Sequence, residues 1–89
     1  MRVLVLGTAD DARGFALAGA RAIVPQGRRE VAAALARASE EQPPVGLVLV
    51  SAEVAALAED AVRAFAARAG SPPILVLPGA GGGAHEGAR

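Results

Sequence analysis

Three apolar runs, Val3 to Leu6, Val45 to Val50 and Ile74 to Leu77, divide the chain, and the segments between them carry helical spacing. That alternation is the strongest constraint on its fold. A continuous run of branched apolar residues closed by a breaker is the mark of a strand buried on both faces, and the first run, stopped by Gly7, fits it. Thr8 or Asp10 caps a helix over about Asp10 to Ala18, where Asp10 and Asp11 complement the positive end of the helix dipole. Gly19 stops this helix through a left-handed turn, and Ala22, Ile23 and Val24 form a short second strand closed by Pro25.

From Arg28 to Glu41 the apolar residues Val31, Ala34, Leu35 and Ala38 recur at three- and four-residue spacing, which predicts an amphipathic helix ended by Pro43 and Pro44. Arg28 and Arg29 oppose the dipole at its start, a small cost that a partner's carboxylate could relieve, and a solvated helical face is the expected account. The run Val45 to Val50 is the next buried strand. Ser51 caps a third helix that ends near Ala69, with Val54, Leu57, Ala61 and Phe65 inward and a Glu59–Arg63 pair outside. Gly70 to Pro73 then break the chain before the last strand. Strands alternating with helices over short connections imply a parallel sheet with right-handed crossovers and helices on both faces. The expected fold is a small four-stranded α/β sheet of flavodoxin or receiver-like type over residues 1–78. Residues 79–89, with five Gly and no large apolar side chain, form a tail expected to be disordered.

Composition removes most function classes. Nine basic and nine acidic residues cancel in 89, so nothing steers the chain to nucleic acid. It has no Cys and a single His, His85, which excludes disulfides, thiolate nucleophiles and His- or Cys-based metal clusters. With no Lys there is neither a phosphate-loop lysine nor Schiff-base chemistry. No apolar run reaches the ~18 residues that cross a bilayer, and the start lacks a signal-peptide pattern, so the chain reads as soluble and intracellular. Ala supplies 23 residues, leaving a core of small side chains. A domain of this size buries about 60% of its unfolded surface, which favours a permanent partner.

Ligands of open parallel sheets sit beyond the carboxyl ends of the strands, here Gly7 to Asp11, Pro25 to Gly27, Ser51 to Glu53 and Pro78 to Gly83. Asp10 and Asp11 stand where receiver domains hold magnesium. However, Ser51 replaces the phospho-accepting Asp and no Lys exists to stabilise charge, so capping accounts for both carboxylates. The glycines at 79, 81, 82 and 83 have too little chain after them to open a phosphate-binding helix. Ser51 and Glu53 lack a placed base, and His85 lies in the glycine-rich tail. The expectation is no catalytic residue, no cofactor and no metal.

Gly14 to Gly19 read GFALAG shortly after a strand ending LGTADD, and VGLVLVSAEVA and PPILVLPG follow in order. In this the chain resembles the F subunit of the archaeal and vacuolar type (V/A-type) rotary ATPases, from Met1 to Gly79. The residues carrying the resemblance and its structure are Gly7, Gly14, Phe15, Leu17, Ala18 and Gly19, with Gly14 allowing close approach of the first helix to a neighbour. The resemblance implies a non-catalytic central-stalk component that binds the D-type coiled-coil shaft protein and other rotary ATPase subunits. Such a component couples ATP hydrolysis or synthesis to proton or sodium transport, and is cytoplasmic and peripheral to the membrane without inserting in it. Thr8 stands where the family often has an acidic residue, and Gly79 to Arg89 stand where it usually continues into a further helix. The competing reading is a receiver-like or small-ligand signalling module without a phospho-acceptor.

Overall fold

The computed structural model describes residues 2–78, so the expected tail over 79–89 lies outside the described residues. The elements in chain order are β1 (Val3–Leu6), α1 (Ala9–Leu17), β2 (Arg21–Ile23), α2 (Arg28–Glu40), β3 (Leu47–Ser51), α3 (Ala52–Ala55), α4 (Glu59–Ala67) and β4 (Ile74–Leu77). All strand pairings are parallel, in the order β2-β1-β3-β4. Right-handed crossovers that step in opposite directions along a sheet place their helices on opposite faces. The step from β1 to β2 therefore puts α1 on one face, and the steps from β2 to β3 and from β3 to β4 put α2, α3 and α4 on the other.

The core lies on the α2 side. Leu4, Leu6, Val48 and Val50 of the sheet meet Val31, Ala34, Leu35 and Ala38 of α2, Val54 of α3 and Phe65 of α4. All four α2 positions expected from the spacing are buried. Val5 is buried on the opposite face, but α1 itself contains no buried residue. At the far edge Leu75 and Val76 are 55% and 51% exposed, and Leu47 and Leu49 of β3 are half-buried. The middle run is thus fully buried on one face only.

The third helix departs from expectation. Ser51 caps it, its Oγ accepting from the Val54 N–H at 3.1 Å, but the helix stops at Ala55 and a new one starts at Glu59. Ala58 interrupts the path at φ −153° and ψ 58°. Two consequences follow. Ala58 takes the inward place given to Leu57, which is 45% exposed, while Val54 and Phe65 are buried and Ala61 packs against them as expected. The break also sets Glu59 and Asp60 in a first turn, where the dipole favours carboxylates. Among the described residues Glu59 and Arg63 form no ion pair; Asp60 pairs instead with Arg28 of α2.

Candidate functional site

Beyond the carboxyl end of β1, the side chains are engaged with one another. Thr8 is the N-cap of α1: its hydroxyl accepts from the Asp11 N–H at 3.3 Å, and the Asp11 carboxylate accepts from the Thr8 N–H at 3.1 Å and its hydroxyl at 3.0 Å. This reciprocal capping box satisfies two of the amides at the helix start, those of Thr8 and Asp11. It also explains Gly7, where a Cβ would stand 2.7 Å from the Asp11 Cβ. Asp10 turns away to Arg13 at 3.1 Å. The two carboxylates that resembled a magnesium pair therefore have separate partners. Among the described residues no group of three or more His, Cys, Asp or Glu is close enough to hold a metal.

Beyond β2, Gly27 (φ 144°) is the N-cap of α2, and the Glu30 carboxylate accepts from the Gln26 N–H at 2.8 Å. The helix start, expected to be solvated, is instead paired within the chain, since Asp60 of α4 pairs with Arg28 and ties the two helices together. That hydrogen bond holds Asp60 below the ordinary carboxylate range and raises Arg28. Beyond β3, Ser51 is 4% exposed and committed to its capping bond, while Glu53 is exposed. These strand ends therefore cap helices and link α2 to α4.

The residues of the GFALAG stretch lie along the second half of α1 and its exit. Gly14 is exposed and a Cβ there would meet nothing within 4 Å, so no close approach uses it among the described residues. Phe15 is half-buried, Leu17 is 87% exposed and Ala18 is the exposed C-cap. Gly19 has φ 91°, the left-handed turn that leads the chain into β2. Gly14, Leu17 and Ala18 thus leave an exposed, uncharged ridge on the outer side of α1.

An ion-pair group at the opposite end of the strands was not anticipated from the sequence. Glu41 at the end of α2 is paired with Arg21 of β2 and lies 3.9 Å from Arg2. The Arg21 hydrogen bond holds Glu41 below its ordinary range, with Arg2 and Arg37 adding to the effect against partial desolvation. Arg2 and Arg21 line an open cleft with Val3, Ala18, Gly19 and Ala20. Residues so far apart in the chain give no local signal of meeting.

Compared with the descriptions of known families, residues 3–89 match that of the ATP synthase (F/14-kDa) subunit. A search of curated proteins gave no match.

Proposed function

The chain belongs to the family of the ATP synthase F/14-kDa subunit, and from that premise we propose that it is a non-catalytic component of the central stalk of a V/A-type rotary ATPase. In this reading the α/β unit of residues 1–78 docks on a D-type coiled-coil shaft protein. There it couples ATP hydrolysis or synthesis to proton or sodium movement, peripheral to the membrane on its cytoplasmic side. The observation that carries the reading is the family match over nearly the whole chain. Two structural features support it. No helix among the described residues is long and apolar enough to cross a membrane. The ends of β1, β2 and β3, of the kind that hold ligands in other open parallel sheets, are here occupied by helix caps and ion pairs, which supports the exposed part of α1 as surface for a protein. The competing signalling reading has no support from Ser51, whose hydroxyl caps α3.

Co-expression with the D-type shaft protein of the same ATPase should give a one-to-one complex stable through size-exclusion chromatography. Separate elution of two folded proteins at micromolar concentration would end the stalk assignment. Mg-ATP titrated calorimetrically into the isolated chain should show no site, and micromolar binding would favour the signalling module. Gly14→Leu should leave folding intact, because the space there is open and Leu is the better helix former by about 0.5–1 kcal/mol. A lower affinity for the shaft protein in that variant would place Gly14 in the interface.

A further inference from the structure

The sheet ends on two unlike edges, β2 and β4. β2 is three residues long and carries Arg21, whose guanidinium pairs with Glu41; a charge of this kind keeps an edge from pairing with another chain. β4 has no such guard. From Ser71 to Gly83 the sequence contains no charged residue. Leu75 and Val76, in the middle of the strand, are 55% and 51% exposed on opposite faces. Leu75 belongs to the leucine strip that it forms with Leu47, Leu49 and Leu77 on the α1 face of β3 and β4.

The main-chain pattern of β4 fixes what its edge offers. Val48 donates its N–H to the Pro73 carbonyl at 2.9 Å, and Val48 lies opposite Ile74 in the parallel register. Residues facing a neighbouring strand alternate, so Pro73, Leu75 and Leu77 turn their main-chain groups to β3. Ile74 and Val76 turn theirs outward, and among the described residues no other backbone group bonds to them. The next outward positions are 72 and 78, and both are proline, with no N–H to give. This edge is complementary to itself. Set antiparallel across a two-fold axis normal to the sheet, with Leu75 opposite the second copy's Leu75, Ile74 of each copy exchanges both main-chain hydrogen bonds with Val76 of the other. Pro72 then falls opposite Pro78, so the positions without a donor meet one another. A shift of two residues would set a proline against Ile74 or Val76 and leave that residue's carbonyl without a donor. Side chains agree with this register: the two Leu75 meet at the close, non-hydrogen-bonded position, Ile74 and Val76 pair across the other face, and no like charges are opposed.

We propose that β4 is a self-association edge, at which two copies of this chain join antiparallel into one continuous sheet centred on Leu75. This goes beyond the stalk reading and does not depend on it. A junction of four-residue strands covers far less than the roughly 1,200 Å² of a standard stable interface, so the dimer is weak and forms as concentration rises.

The test is sedimentation of the full chain from micromolar to millimolar concentration, with circular dichroism confirming that each variant is folded. The parent should pass from monomer to dimer. Val76→Pro removes an outward donor that β3 does not use, a change an edge strand tolerates, and should weaken dimerisation at least about tenfold. Ala22 stands in the outward phase of β2, because the neighbouring Ile23 carbonyl accepts from the Gly7 N–H of the β1 side. Ala22→Pro is therefore the matched change at the other edge, and should stay within about twofold of the parent. Leu75→Glu and Leu75→Lys each set like charges at the two-fold axis and should be monomeric alone, whereas their equimolar mixture should recover a mixed dimer. A parent that stays monomeric at millimolar concentration would overturn the proposal, as would a Glu and Lys mixture that stays monomeric. A dimer that Val76→Pro leaves intact while Leu75→Glu dissolves it would show two leucine strips meeting face to face, and would also overturn it. So would slow amide exchange at Ile74 and Val76 in a monomeric parent that quickens on deletion of residues 79–89, since the chain's own end would then cover the edge.

Discussion

Because α1 buries none of its residues, its place on the sheet depends heavily on its first turn. Thr8→Ala removes the hydroxyl that accepts from the Asp11 N–H and donates to the Asp11 carboxylate. Loss of an N-cap threonine costs about 1 kcal/mol, within roughly 0.5–2. In a domain of this length about 1 kcal/mol lowers Tm by roughly 4–8 °C. Asp11→Ala removes the acceptor for both the Thr8 N–H and the hydroxyl, and also a charge favourable to the dipole, so about 1–2 kcal/mol is expected. The two single changes both delete the hydroxyl–carboxylate bond. The double variant should therefore cost less than their sum by about 0.5–1.5 kcal/mol, the worth of one hydrogen bond. Urea unfolding of the four proteins measures the cycle, and amide exchange at Asp11 reads it locally, quickening about fivefold per kcal/mol. Thr8→Ser keeps the oxygen and should recover most of the loss. Strict additivity, or a Thr8→Ser variant no better than Thr8→Ala, would refute the capping account.

Phe65, 4% exposed in the core, should cost about 3–5 kcal/mol on change to Ala, visible as a lower urea midpoint; a loss below about 1 kcal/mol would show that α4 contributes little to the core. Glu41 and Asp60 have lowered folded-state pKa values, so their stabilisation is complete above the ordinary carboxylate pKa of about 4 and is lost as pH falls through the folded values. Glu41→Gln should accordingly make stability less steep in pH over that acid range, and an unchanged slope would contradict the Arg21 pairing. Deleting residues 79–89 should change the stability of the 1–78 unit by less than about 0.5 kcal/mol, since they bring no large apolar group; a loss above about 1 kcal/mol in urea would show that they pack on it.

What the sequence disclosed, it disclosed through local patterns. The spacing of Val31, Ala34, Leu35 and Ala38 fixes which side of α2 faces the sheet, and the Ser51 hydroxyl needs only a start of helix three residues on to cap it. The inward place falls to Ala58 rather than Leu57 without warning, because Ala55 to Ala58 contain no proline or glycine to announce a break, and alanine accepts either an inward or an outward position. The meeting of Arg2, Arg21 and Glu41 depends on strand order, which local spacing does not encode. The same holds for the β3–β4 strip: an apolar run reads alike whether a helix covers both its faces or only one. At the candidate surface, GFALAG marked α1 and its left-handed exit at Gly19, but the residues that turn outward beside it depend on which neighbours are missing.

The unequal covering of the sheet also divides the molecule in its response to thermal fluctuation. Helices α2 and α4 contribute buried residues to the shared core, so their interior amides should exchange more slowly than those of α1, which is held by its cap and a half-buried Phe15. The domain therefore has one rigid wall and one that yields at lower free energy. If the shaft protein docks on the exposed side of α1, association consolidates the yielding wall, and part of the interaction energy goes into ordering it. Affinity is then coupled to the intrinsic stability of a single nine-residue helix. A change that firms α1 without touching the shaft would lengthen the life of the complex, and one that frays it would shorten that life with every contact residue intact.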